Sequence, residues 1–105
     1  MAGYTLIADV GGEVEVPADG TLSRVLYKDD RVRLVAFGFD TGQELTEHTA
    51  AVPALIQVVR GRFALTLGDD HTEIGPEAWV RMDPHLPHSL RALEPSVMLL
   101  TMLKG

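Results

Sequence analysis

Three of the four histidines in this 105-residue chain lie in two short segments: His48 in Glu47-His48-Thr49-Ala50, and His85 and His88 in Pro84-His85-Leu86-Pro87-His88. A neutral imidazole is a nitrogen ligand for transition metals, a hydrogen-bonding group whose role depends on its tautomer, and a proton carrier near neutral pH. The chain has no cysteine, so a thiolate metal site, a thiol nucleophile and a disulfide frame are all excluded. Any metal must therefore be held by nitrogen and oxygen. The fourth histidine, His71, follows Gly68-Asp69-Asp70 in a turn and reads as solvated. The acidic pairs Asp29-Asp30 and Asp69-Asp70 read as turn residues, not as acid pairs for catalysis.

The elements that must position these histidines read as strands. β-Branched and aromatic residues recur in short runs bounded by Gly, Pro and Asp, without a 3.6-residue period. The expected strands are Tyr4–Ala8, Glu13–Val16, Leu22–Tyr27, Arg31–Phe39, Ala54–Arg60, Arg62–Leu67, Thr72–Ile74, Ala78–Met82, His88–Ala92 and Val97–Leu103. Lys28-Asp29-Asp30, Arg60-Gly61-Arg62 and Gly68-Asp69-Asp70 read as tight turns between hairpin neighbours. The expected class is an all-β sandwich or barrel.

Two of these strands are apolar at odd and even positions alike: Val97–Leu103, and Arg31–Phe39 with Leu34 and Ala36 alternating with Val35, Phe37 and Phe39. One face of such a strand fills the core and the other needs a cover. The preferred cover is a second copy of the chain, giving a homodimer; the alternative is the N-terminal segment of the same subunit.

At 105 residues the chain is expected to form one domain spanning residues 1–105. Fifteen acidic residues against nine basic ones leave a formal charge of −6, which would repel a phosphate backbone and argues against a nucleic-acid partner. The sequence shows neither a basic segment leading into an apolar stretch nor an apolar run of membrane-spanning length, so no membrane partner and a cytoplasmic location are expected.

The spacing Gly42-x5-His48-x-Ala50-x3-Ala54-x6-Gly61 resembles the first sequence motif of the cupin superfamily, in which a glycine precedes His-x-His, then a glutamate, then a second glycine. Ala50 stands for the second histidine and Ala54 for the glutamate. The family's second motif is recognisable in Ala78 to His88, with Glu77 and His85 at its glycine positions, Asp83 at its proline and Ala92 at its terminal asparagine. The resemblance implies a single-domain jelly-roll β-barrel with its site inside, where two histidines and a glutamate of the first motif and one histidine of the second hold a divalent transition metal. Carried over, His48 and His88 remain of those four ligands, and His85 is the best third nitrogen. A pocket around them is expected to include Ala50, Ala54, Trp79 and Gln57, although strand alternation counted from Ala54 puts Gln57 on the other face. Losing a histidine and a glutamate should leave a roomier, more apolar cavity. The function expected is the binding of a small organic molecule at a reduced metal site. The alternatives are a metal-dependent dioxygenase, isomerase or decarboxylase, and metal-free acid/base chemistry by one histidine.

Overall fold

A computed structural model describes residues 3–104. Nine strands follow one another: β1 (Thr21–Lys28), β2 (Val32–Phe39), β3 (Glu44–His48), β4 (Ala54–Arg60), β5 (Phe63–Leu67), β6 (Asp70–Ile74), β7 (Trp79–Met82), β8 (His88–Ala92) and β9 (Ser96–Leu103). They form two antiparallel sheets, one in the order β1-β2-β9-β4-β7 and one in the order β3-β8-β5-β6. The expected all-β class holds. Among the described residues no helix is long and apolar enough to cross a membrane.

Four short connections, β2 to β3, β4 to β5, β6 to β7 and β8 to β9, each pass from one sheet to the other. They stack β2 over β3, β9 over β8, β4 over β5 and β7 over β6, at the spacing of roughly 10 Å usual for packed sheets. Between the sheets lie Phe39, Ile56, Val58, Phe63, Leu65, Met82, Leu90 and Met98, all nearly inaccessible. The rings of Phe39 on β2 and Phe63 on β5 meet edge to face at 5.3 Å between centroids and tie the sheets together.

The turns at Lys28 and Gly68 close hairpins as expected, β1 with β2 and β5 with β6. Arg60-Gly61-Arg62 does not: β4 and β5 belong to different sheets, and this turn carries the chain between them. Gly61 has φ +89, and a Cβ there would lie 2.6 Å from the Ser96 Cα. A crossing this tight leaves no space for a side chain.

Tyr4–Ala8 and Glu13–Val16 are not strands. The first has no sheet to join, and the second begins at the end of a single 3₁₀ turn, Val10–Glu13, whose Gly12 N–H donates to the Asp9 carboxylate at 3.2 Å. From that turn the chain runs across the outer face of the larger sheet. Its backbone passes so close to β2 at Gly38 that a Cβ there would sit 2.1 Å from the Glu15 carbonyl oxygen. Val14 is buried against Ala36, Val97 and Leu99, with Val10 and Val16 packed beside them. The outward set of the doubly apolar strands is thus covered within one subunit, as in the alternative to a dimer. The cover stops short at one corner, where Tyr4 and Leu6 are exposed beside an open groove of about 880 Å³ lined partly by Ile7, Val32 and Leu34.

Candidate functional site

The two histidines, forty positions apart, reach one place because β3 and β8 are paired. Leu45 faces Leu90, and three residues further along β3, but only two along β8, His48 faces His88. The extra residue is a β-bulge. Without it, strict alternation would turn His48 away from the side that Leu45 faces; with it, both histidines share that side. Their ring centroids are 4.1 Å apart, with the planes tilted by 59°.

Each ring is held the same way. His48 Nδ1 lies 2.8 Å from the Thr46 carbonyl oxygen and His88 Nδ1 lies 2.9 Å from the Leu86 carbonyl oxygen. A carbonyl only accepts, so geometry assigns the proton to Nδ1 in both rings and leaves both Nε2 atoms as bare acceptors while the rings are neutral. His88 is buried and His48 exposed. Burial lowers the His88 pKa below the usual histidine value, opposed by its bond to the Leu86 carbonyl, and a charge on His48 would lower it further. The lowered pKa favours the neutral, hydrogen-bond-accepting form of His88.

The opposite wall of this mouth is a row across the larger sheet. Arg33 on β2 is paired with Met102 on β9, Met102 with Ala54 on β4, and Ala54 with Met82 on β7. All four face inward, because the unbroken β2–β9 register puts Arg33 on the same side as Phe37 and Phe39. The connections Thr49 to Pro53 and Asp83 to Pro87 run from the histidines to this row, so both stand at one end of the sandwich. Ala54 is packed into the core, with Met82 buried on one side and Met102 packed on the other. These two flexible side chains are the direct cross-strand partners of the alanine.

Arg33 was not anticipated as a site residue. Its Nε is buried and has no hydrogen-bond partner, and neither ion pair among the described residues, Arg62–Glu73 and Arg81–Asp83, involves it. An unmatched buried N–H costs about 1–3 kcal/mol, more when it carries charge. The signal was in the sequence: counting back in twos from Phe39 and Phe37 through Val35 puts Arg33 on the inward face.

The remaining expected residues scatter. Trp79 and Gln57 are cross-strand partners, but on the outer face of β7 and β4, where Trp79 is 59% exposed. They are not brought to the mouth, because alternation from Ala54 and Met82 turns both outward. Ala50 lies in the connection after β3, half-buried, and its carbonyl oxygen accepts from the His85 N–H at 2.7 Å. His85 itself is exposed in the turn before β8.

The sequence matches no family model, and no functionally curated protein is significantly similar to it. Solved structures are similar over nearly the whole chain. A conserved protein of unknown function from Streptococcus pyogenes superposes with a TM-score of 0.87 at 26% identity, covering 97% of this chain and 90% of that one. A cupin superfamily protein from Desulfitobacterium hafniense gives 0.85 at 23% identity, with 90% and 86% covered. An RmlC-like cupin from Desulfovibrio desulfuricans gives 0.78 at 22% identity, with 98% and 96% covered. The chain has the cupin fold.

Within that fold, four positions that the motif resemblance matches to glycines share a positive φ. Gly42 and Gly61 have φ of 83° and 89°, and Glu77 and His85, at the second motif's glycine positions, have φ of 71° and 67°. A non-glycine residue in this region is strained by roughly 1–2 kcal/mol. His85 is thus fixed by its turn. The cupin metal centre does not fit this donor set. Ala50 and Ala54 offer no donor, and among the described residues no three His, Cys, Asp or Glu side chains come together as a metal-holding group. Two imidazole nitrogens are one fewer than a catalytic metal usually takes from protein.

Proposed function

We propose that this cupin-fold protein binds a small organic molecule at the mouth between the sheets, with the Nε2 atoms of His48 and His88 as paired hydrogen-bond acceptors. The carrying observation is the matched tethering of the two rings, each by its Nδ1 to the carbonyl two residues earlier. That tether sets the tautomer and orients the free nitrogen, as preorganised recognition requires. The ligand presents hydrogen-bond donors to the pair.

The test is a panel of neutral hydroxy and amide compounds titrated into protein made without a polyhistidine tag, before and after a divalent metal is added. His48→Ala and His88→Ala should each weaken binding about tenfold or more while near-ultraviolet dichroism keeps its folded signature. Ligand binding unchanged in both variants would refute the site. One tightly held metal per chain that is lost in both variants would favour the enzyme of dioxygenase, isomerase or decarboxylase type instead.

We also propose that two copies associate through the open corner, which is supported by the exposed Tyr4 and Leu6 and the apolar lining of the groove beside them. Sedimentation should give the mass of two chains, and Leu6→Asp the mass of one. A wild-type monomer would end that part of the proposal.

A further inference from the structure

We infer that Arg33 anchors the anionic end of the ligand and that the ligand class is a small hydroxycarboxylate. This rests on the ligand-binding reading above and narrows it. A guanidinium has donors only, and the Arg33 Nε–H is buried without an acceptor from the protein. Its cross-strand neighbours are Lys28 on one side and Met102 on the other, so neither supplies a counter-charge. Asp70, which pairs with Leu67 and so shares its inward side, stands on the edge strand β6, at the corner diagonal to Arg33.

The row Arg33–Met102–Ala54–Met82 thus carries a cation and no carboxylate, because the position that resembles the cupin glutamate is Ala54. A glutamate there would offer a negative partner two strands from Arg33, or a third metal ligand beside the histidines. With alanine the mouth presents a guanidinium and two imidazoles tethered through Nδ1, a set that suits an anion and not a metal cation.

The chemistry of the two walls specifies the rest. The Nε–H and one Nη–H of an arginine lie side by side at the spacing of the two oxygens of a carboxylate. Across the gap, two bare Nε2 atoms need donors, and a hydroxyl supplies one. Arg33 on β2 and His48 on β3 stand at the same end of two sheets that pack at roughly 10 Å, so one molecule of a few carbons can reach both.

Lactate carries both groups, propionate only the carboxylate, and lactamide the hydroxyl without the charge, so these three are the probes. Nitrogen–proton NMR follows the Arg33 Nε–H and the two imidazoles. Lactate should move all three signals, propionate mainly the Arg33 Nε–H, and lactamide mainly the imidazoles. In Arg33→Met lactate should bind about tenfold or more weakly, lactamide as before. That variant should also melt no lower than the wild type, since an unmatched buried N–H is removed. Arg33→Lys keeps the charge without the fork and should fall between.

Lactate binding equally well to Arg33→Met, or an Arg33 Nε–H that neither carboxylate moves, would overturn the anchor while a lactamide response left the imidazole site standing. Silence of both imidazoles toward lactamide and lactate would take down the imidazole site and this inference with it. Inorganic phosphate moving the Arg33 Nε–H more strongly than lactate would contradict the carboxylate assignment.

Discussion

The two ends of the sandwich are built on opposite terms. At one end Phe39 and Phe63 are wholly inaccessible and meet edge to face, while Ser96 and Val97 are buried beside the crossing at Gly61. At the other, Arg33 leaves a buried N–H unmatched, His88 is buried with its pKa lowered, and His85 holds a backbone conformation that suits glycine. The first end has every mark of packing for stability. The second gathers groups that stability alone does not explain, and such concessions are expected where a fold carries function.

That contrast breaks most visibly at the closed end. Phe63→Ala should lower unfolding free energy by about 3–5 kcal/mol in a urea titration, because it opens a cavity at the contact between the sheets. A loss below about 1 kcal/mol would mean that the closed end is not the stabilising one. At the mouth the sign should reverse. His85→Gly relieves the left-handed backbone and should raise stability by about 1 kcal/mol, with lactate and lactamide binding unchanged. Lost binding in that variant would restore His85 as a ligand.

The smallest effect is the pH dependence of His88. Its folded pKa lies below the ordinary value of about 6.5, so below that value the unfolded chain takes up the proton more readily than the folded one. The stability due to its neutral form is complete above about pH 6.5 and is lost as the pH falls through the folded pKa. Urea titrations on either side of that window should show wild type losing more stability on acidification than His88→Gln. Equal losses would remove the burial of His88 from the account.

The legible parts of the sequence were those where apolar alternation coincides with pairing. Ala54–Arg60 and His88–Ala92 stand in the structure at the expected bounds, and the spacing around His48 and His88 located the paired histidines and the cupin fold. β3 was missed as a strand because Leu45 is its one apolar residue and a bulge interrupts its alternation. Tyr4–Ala8 was over-read because alternation alone does not supply a strand to pair with. Arg33 escaped notice because an arginine in an apolar run invites an outward reading, although its parity with Phe37 and Phe39 says otherwise. The placement of Met82 and Met102 on either side of Ala54 depends on sheet register that local sequence does not encode.

The central claim is that the two tethered imidazoles present bare Nε2 atoms at the mouth. Long-range nitrogen–proton NMR of nitrogen-15 histidine-labelled protein at about pH 8 reads this directly, since protonated and bare ring nitrogens differ widely in shift. The account predicts protonated Nδ1 and unprotonated Nε2 for both His48 and His88. A proton on Nε2 of either ring would contradict it.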